Sequence, residues 1–301
     1  MSWNKKSTIV RIRSTASQAF FRYGEHVMPR RVGRVAQDLW FTAPPRLADL
    51  ALPDGGEPFE VLAQGHVVRG VLWEPRAPRP SEARAVYLVH GWGGRGAQFA
   101  AMVQPLVDAG LRVVLFDAPA HGDSDHGPAG PGTTNGMEFA RALDAVFCAF
   151  GPAAGVVAHS MGTISTYLAL RHGWVGAERL VFVAPMVEFD GLLDRFQEAL
   201  GFGPRSRCAL ERGVEEFVGV AVRDFDARVQ AAYSDPLPTL VLTDRGDRQT
   251  PYEEVVDFAR TIGAPLITTE GLGHRKILRD PAVVKAVVDF VTDEKPLGAT
   301  A

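Results

Sequence analysis

The sequence contains few of the features that mark secreted, membrane-spanning or nucleic-acid-binding proteins. Only two cysteines, Cys148 and Cys208, occur among 301 residues, which excludes a disulfide framework; we predict free thiols, buried or partly exposed, in helical segments. No run of 18 apolar residues is present, so no transmembrane helix is predicted. A net charge of −3 argues against nucleic acid as the main partner. The histidines lack metal-ligand spacing, and we expect neither a metal nor another cofactor.

The first 50 residues are basic, with nine Lys and Arg against three Asp and Glu. They contain no apolar core followed by a small-residue cleavage site, so no secretory signal is predicted and a cytoplasmic location is expected. A helix over roughly 14–28 would align Ala19, Phe20, Tyr23 and Val27 in one apolar stripe. We predict that this helix packs on the main domain or on a partner subunit. Association of residues 1–50 with a membrane surface, or a transit peptide, is the alternative.

From residue 57 onward, short apolar runs alternate with helical patterns, which is typical of a mostly parallel sheet with crossover helices. The predicted strands lie at 59–63, 67–73, 85–89, 111–116, 155–158, 180–183, 239–242 and 265–268. The alternation stops over 186–232, where two or three helices are predicted, broken near Gly201 to Pro204. The predicted segments are a partly helical basic arm at 1–56, an α/β core at 57–185 and 233–295, a helical cap at 186–232 and a disordered tail at 296–301.

A buried strand runs directly into Ser160, and a helical pattern begins immediately after it. A nucleophilic serine on such a tight strand-to-helix turn needs small residues two positions before and after it. Ala158 and Gly162 occupy these positions, and the alanine adds only a methyl group to the usual glycine. On this segment alone, a serine that caps the following helix is an equal alternative.

Two later loops supply the partners that a nucleophilic serine requires. A serine hydroxyl needs a base to take its proton and an acid to orient that base, and in this architecture the chain order is serine, acid, histidine. Asp247 follows the strand at 239–242, and His274 follows the last strand, so both loops leave the carboxyl ends of strands, where ligands bind. We therefore predict that Asp247 and His274 converge on Ser160, with Asp244 and Glu188 as alternative acids.

Several motifs in this order resemble the α/β-hydrolase superfamily over residues 57–293. They are the loop His90–Gly94, the loop Phe116–Ser124, Asp247 four residues before Pro251, and Gly273-His274 followed by Asp280-Pro281. The resemblance implies an α/β-hydrolase fold, with a mostly parallel eight-stranded sheet, flanking helices and a helical cap inserted after the sixth strand.

The resemblance also implies a role for each residue of the site. Ser160 would be the nucleophile, His274 the general base and then acid, and Asp247 the residue that orients His274. The backbone N–H groups of Met161 and Trp92 would form the oxyanion hole. His90 is expected to support the oxyanion loop, while His121 and His159 are expected to be structural or polar-cleft residues.

A serine at the nucleophile position removes the superfamily members that use aspartate there, the dehalogenases and epoxide hydrolases. The elbow around Ser160 resembles that of monoacylglycerol-type esterases and related carboxylesterases. The expected function is hydrolysis of carboxylic esters with small to medium acyl chains, with an acyl ester and water as the partners. Thioester, amide or C–C bond hydrolysis, perhydrolysis, and a non-catalytic binding role remain alternatives, and the oligomeric state is left open.

Overall fold

The computed structural model describes residues 15–45, 50–76 and 84–293. Its strands are β1 (Glu57–Ala63), β2 (His66–Trp73), β3 (Ala85–Val89), β4 (Arg112–Phe116), β5 (Ala153–His159), β6 (Leu180–Val183), β7 (Thr239–Asp244) and β8 (Leu266–Thr269). They form one sheet in the order β1-β2-β4-β3-β5-β6-β7-β8. The β1–β2 and β2–β4 pairs are antiparallel and the other neighbours are parallel, so the predicted mostly parallel eight-stranded sheet is confirmed.

The sheet is connected by helices that follow most of the strands. In chain order the helices are α1 (Thr15–Val27), α2 (Pro29–Phe41), α3 (Ala100–Asp108), α4 (Gly136–Phe150), α5 (Gly162–Arg171), α6 (Phe189–Leu200), α7 (Pro204–Val218), α8 (Ala227–Ala232), α9 (Tyr252–Thr261), α10 (Gly273–Lys276) and α11 (Pro281–Thr292). Local signals fix several ends. Asn135 caps α4 by accepting from two backbone N–H groups, and Asp280 caps α11 in the same way, directly before Pro281.

Both faces of the central strands are covered, which is why these strands are apolar throughout. Val86 and Leu88 of β3 belong to an apolar cluster with side chains of α3 and α11. Phe182 of β6 packs with helices α5 and α9, its ring centroid lying 5.1 Å from that of Tyr167 and 6.3 Å from that of Phe258. The parallel strands therefore end at one common edge of a rigid sheet, and the loops after β3, β4, β5, β7 and β8 start from it.

A second compact unit is helical and comprises, among the described residues, 15–44 together with Glu188–Asp226. Within it, α2 packs against α7 so closely that a Cβ added at Gly33 would lie 2.6 Å from the Cβ of Ala209. The segment predicted as a cap at 186–232 is longer than the inserted part of this unit, because α8 belongs to the sheet unit. The basic arm and the inserted helices, which the sequence presents as separate segments, pack together.

The buried carboxylate of Glu25 joins α1 to α7. Its two oxygens accept hydrogen bonds from the N–H groups of Arg205 at 2.9 Å and Ser206 at 3.0 Å, at the N-terminus of α7. Burial alone would raise the pKa of Glu25, but the hydrogen bonds from Ser206 and the nearby backbone outweigh it and hold the pKa below its usual value. A negative charge is favourable at this end of a helix, so Glu25 stabilises the unit in its ionised form.

Three of the sequence predictions need correction or stay open. The apolar stripe predicted on α1 is not buried within the described protein, where Phe21 is the buried ring while Tyr23 and Val27 are 70% and 54% exposed, and packing on a partner subunit stays a prediction. The two free cysteines are exposed rather than buried or partly exposed. The predicted tail at 296–301 lies outside the described residues. No helix in the described ranges is long and apolar enough to cross a membrane.

Candidate active site

Ser160 lies at the carboxyl end of β5 in a left-handed backbone conformation, with φ of +54°. This conformation costs a non-glycine residue about 1–2 kcal/mol, so it must be held by its surroundings. The N–H of Ser160 donates to the carbonyl of Val183 at 3.2 Å, and its carbonyl accepts from Thr163 at 3.1 Å. Gly162 must be small, because an added Cβ would lie 2.6 Å from the carbonyl oxygen of Val89. The turn therefore presents Ser160 at the sheet edge as an elbow.

Asp247 and His274 meet across the loops that follow β7 and β8. The His274 Nδ1 lies 2.7 Å from the Asp247 Oδ2, and both side chains are almost fully buried. Thr250 Oγ1 donates to the same carboxylate oxygen at 2.8 Å, and the N–H groups of Gln249 and Thr250 donate to the other. Since an ionised carboxylate only accepts, the His274 proton lies on Nδ1 and the lone pair on Nε2 is available.

The ionisation of Asp247 follows from these contacts. Burial alone would raise the pKa of this carboxyl, but the hydrogen bond and charge interaction with His274, together with the donors at Gln249 and Thr250, lower it below its usual value. Asp247 is therefore a carboxylate at neutral pH and can stabilise a proton gained by the His274 ring.

His159 connects the elbow to the His274 loop. Its Nε2 lies 2.8 Å from the backbone carbonyl of His274, and the two ring centroids are 4.6 Å apart. Burial, assisted by the nearby His274, lowers the pKa of His159 to about 3, so the ring is neutral and donates from Nε2. Among the described residues, the Ser160 hydroxyl and the His274 ring do not form a hydrogen bond. Such bonds are often long until substrate binds.

The loop after β3 passes directly beside Ser160. An added Cβ at Gly91 would lie 2.6 Å from the Cβ of Ser160 and 3.2 Å from its Oγ, so only glycine fits here. The N–H groups of Trp92 and Met161 donate to no acceptor in the described part of the chain. Trp92 directly follows Gly91 after β3, and Met161 directly follows Ser160 after β5, so both N–H groups lie near the serine hydroxyl.

Two buried histidines brace this loop against the loop after β4. His90 Nε2 accepts from the N–H of Ala118 at 2.9 Å, and His121 Nε2 accepts from the N–H of Gly93 at 2.9 Å. The Nδ1 atoms donate to the carbonyls of Gly91 at 2.8 Å and Pro119 at 3.0 Å. Burial lowers the pKa of His90 to about 4 and that of His121 to about 3, so both rings are neutral braces.

The carboxylate of Asp244, one of the alternative acids, has different partners from Asp247. It accepts hydrogen bonds from Gly246 N at 2.9 Å, Thr269 Oγ1 at 2.8 Å and Leu272 N at 2.9 Å. Burial alone would raise its pKa, but these backbone and side-chain donors lower it. Asp244 thus ties the loop after β7 to the loop that carries His274. The other alternative acid, Glu188, precedes α6 and belongs to the helical unit.

Comparison with known proteins identifies the family of this chain. The model of the alpha/beta hydrolase family matches residues 86–287, which span β3 to α11. The chain belongs to the alpha/beta hydrolase family. The matched range contains the elbow, both loops braced by histidines, and the Asp247–His274 pair, so the family assignment and the geometry concern the same part of this hydrolase.

Individual relatives are more distant. The chain is 33% identical over 98 residues to a pimeloyl-[acyl-carrier protein] methyl ester esterase of Neisseria meningitidis, a match that covers 32% of this chain and 35% of the relative. The matched stretch therefore spans about a third of that relative's length. Among solved structures, an esterase of Pyrococcus furiosus has a TM-score of 0.62 at 17% identity, covering 83% of this chain and 96% of its own. An esterase of Exiguobacterium antarcticum has a TM-score of 0.59 at 18% identity, with 78% and 99% covered. These structures share the fold.

Some supporting residues of this hydrolase escaped the sequence analysis. Thr250 and Thr269 were not singled out, although each donates to a loop carboxylate. A local signal existed for Thr250, since a threonine three residues after an aspartate can close a side-chain turn. Thr269 had no such signal, because it reaches Asp244 across the β7–β8 ladder rather than along the chain.

Proposed function

We propose that this protein is a serine hydrolase that cleaves carboxylic esters through an acyl-enzyme at Ser160. The observation that carries the proposal is the buried hydrogen bond of 2.7 Å between Asp247 and His274. This pair lies on loops that leave the same sheet edge as Ser160, whose backbone is held at φ +54°. A strained serine and an oriented imidazole at one edge are the parts that nucleophilic acyl transfer requires.

In the first half of the proposed reaction, the Ser160 oxygen attacks the carbonyl carbon of the ester while His274 Nε2 takes the hydroxyl proton. The carbonyl oxygen becomes an oxyanion in the tetrahedral intermediate. When the carbon–oxygen bond to the alcohol breaks, His274 returns its proton to the departing alcohol oxygen, and the acyl group stays on Ser160. Asp247 stays ionised and stabilises the imidazolium throughout.

In the second half, water takes the place of the alcohol. Its oxygen attacks the acyl carbon while His274 Nε2 accepts a proton, and the bond from the carbon to the Ser160 oxygen then breaks. The proton passes from His274 to Ser160, and the carboxylic acid leaves. No metal or redox group enters either half of this scheme, since every proton and electron pair is accounted for by the ester, water and the three side chains.

The N–H groups of Trp92 and Met161 are the proposed donors to the oxyanion. Support comes from their position beside Ser160 and from their lack of acceptors in the described structure. Backbone donors are fixed before the charge develops, and removal of one such donor typically costs about 3–4 kcal/mol of transition-state stabilisation. His90 and His121 keep these donors in place through their bonds to Ala118 and Gly93.

The proposed substrates are esters with small to medium acyl chains. The curated relatives that match part of the chain are esterases, which supports an ester over an amide or a C–C bond. That match covers only 32% of the chain, so it does not support a particular acyl group or alcohol in the substrate. The alternatives differ from this proposal in one reactant. Thioesters, amides or C–C substrates would replace the ester, and hydrogen peroxide would replace water as the acyl acceptor.

The test combines a covalent probe with a substrate series. Purified protein is treated with a fluorophosphonate and assayed on p-nitrophenyl esters of increasing acyl length, beside acyl thioesters and anilides of the same acyl groups. Ser160→Ala should lose labelling and lower kcat by roughly a factor of 10⁶. Ser234→Ala, at another serine of the sheet unit, should keep both. Labelling that persists in Ser160→Ala, or a wild-type protein inert to probe and esters alike, contradicts the proposal.

A further pair of variants assigns the acid. Asp247→Asn preserves the shape of the side chain but favours the wrong tautomer of His274, and should lower kcat by about 10⁴. Asp244→Asn lies three residues away without touching the His274 ring, and should lower kcat much less. Equal losses in both variants would leave Asp247 without a special role.

A further inference from the structure

An exposed part of α1 and α2 combines apolar and cationic side chains. Tyr23 and Val27 lie one turn apart on α1 and are 70% and 54% exposed. Arg30, Arg31 and Arg34 follow on the first turns of α2 and are also exposed. We call these five residues the arginine face. The arginine face therefore offers two exposed apolar side chains next to three cationic ones.

The charge of the arginine face is not neutralised within the protein. Arg30, Arg31 and Arg34 form no ion pair among the described residues, whereas Arg207 of the same helical unit contacts Asp190, Asp194 and Glu211. Asp38 lies one turn after Arg34 on α2 but forms no ion pair with it among the described residues, and Glu25 is buried at the N-terminus of α7. The face therefore has positive charge available for an anionic partner.

We propose that the arginine face binds the surface of a bilayer that contains anionic lipids. Guanidinium groups pair with lipid phosphates, while an exposed tyrosine and valine on one helix side can enter the boundary between headgroups and acyl chains. A second copy of this chain is a poor occupant, because two identical faces would bring their arginines together. The area that two apolar side chains can bury is also well below the roughly 800 Å² that each partner buries in a stable interface. A nucleic acid would match the charge but would not explain the exposed apolar side chain of Val27.

The experiment is sedimentation of the full-length protein with vesicles of phosphatidylcholine alone or with 30% phosphatidylglycerol. The protein should bind the mixed vesicles and not the neutral ones, and binding should weaken as salt rises. Each arginine near an anionic surface contributes about a fivefold factor in affinity. The triple variant Arg30→Gln, Arg31→Gln, Arg34→Gln should therefore bind about 100-fold more weakly.

Two matched controls separate this face from general charge and hydrophobicity. Arg260→Gln, Arg279→Gln, Lys285→Gln removes the same charge from exposed positions of the sheet unit and should bind like the wild type. Tyr23→Ser with Val27→Ser should weaken binding roughly tenfold, whereas Leu62→Ser with Tyr233→Ser, two other exposed apolar residues, should not. Substitution is preferable to truncation, because α2 also carries buried Val32 and Phe41.

Each outcome decides for or against the proposal. Wild-type protein that ignores anionic vesicles overturns it, as does equal loss in the two triple variants. Equal affinity for duplex DNA at the same salt concentration would make the face a general polyanion site and would also overturn it. A shift of the wild type, but not of the arginine variant, to a dimer in gel filtration without vesicle binding would replace the lipid with a second copy. None of these readouts depends on catalysis.

Discussion

Three buried histidines at the sheet edge should make the stability of this hydrolase fall in mild acid. Burial lowers the pKa of His90 to about 4 and those of His121 and His159 to about 3. A histidine in an unfolded chain has a pKa of about 6.5. Below that value the unfolded chain binds a proton at each position while the folded protein does not, so the unfolded state is favoured. The stability is fully present above pH 6.5 and is lost as the pH falls towards the folded pKa.

The magnitude follows from the two protonation states. Between pH 7 and pH 5.5 an unfolded imidazole goes from about one quarter to about nine tenths protonated, which lowers the free energy of unfolding by roughly 1 kcal/mol per ring. Three such rings give about 3–4 kcal/mol, a large share of the ~5–15 kcal/mol that stabilises a typical domain. The result hardly depends on the folded values, because a ring with a pKa near 3 or 4 is still neutral at pH 5.5.

Urea unfolding followed by circular dichroism at pH 7 and pH 5.5 measures this difference. His121→Gln removes one titrating ring but keeps an oxygen that can accept from Gly93 N, so its loss of stability should be about two thirds of the wild-type loss. His26→Gln changes an exposed ring and serves as the control, with a loss equal to that of the wild type. The reasoning is refuted if the wild type loses less than 1 kcal/mol, or if His121→Gln loses as much as the wild type.

Three further outcomes are expected. Gly91→Ala should lower kcat on esters about 100-fold with the circular dichroism unchanged, because its Cβ would lie 2.6 Å from the Cβ of Ser160 and displace the elbow; unchanged kcat would contradict this. Asp244→Asn should lower the free energy of unfolding by about 2–4 kcal/mol in urea, since an NH2 group in place of one carboxylate oxygen leaves either Gly246 N or the Thr269 and Leu272 donors without an acceptor. Phe258→Ala removes a fully buried ring between Tyr167 and Phe182 and should lower the free energy of unfolding by about 3–5 kcal/mol in the same assay. A loss below about 1 kcal/mol would show that the core repacks around the missing ring and would contradict this prediction.

Elements with strong local signals could be predicted to the residue. The strands Ala85–Val89 and Leu180–Val183 have the predicted bounds, because both are unbroken apolar runs. β7 extends two residues beyond its prediction, to Asp244, because the polar Thr243 and Asp244 continue the ladder to β8 while buried. Apolar periodicity cannot detect a strand end that is formed by polar residues.

Apolar periodicity could not predict which side of α1 is buried. Phe20, Phe21 and Tyr23 give α1 two possible apolar sides, and helical spacing alone cannot choose between them. The choice is made by contacts between residues about 180 positions apart, where Glu25 meets Arg205 and Ser206. Asp244 and Asp247 pose the same problem at the site, since both follow one strand and only the fold decides which carboxylate reaches His274.

The distribution of backbone strain gives an independent reason to place the function at this edge of the sheet. Four non-glycine residues of the described chain have positive φ, and one of them, Gln64, lies in the β1–β2 hairpin turn, where this conformation is ordinary. The others are Ala120 after β4, Ser160 after β5 and Ala184 after β6. Each costs about 1–3 kcal/mol. Strain that is concentrated in the segments after β4, β5 and β6, at the carboxyl edge of the sheet, is consistent with the positioning of Ser160 and its neighbours.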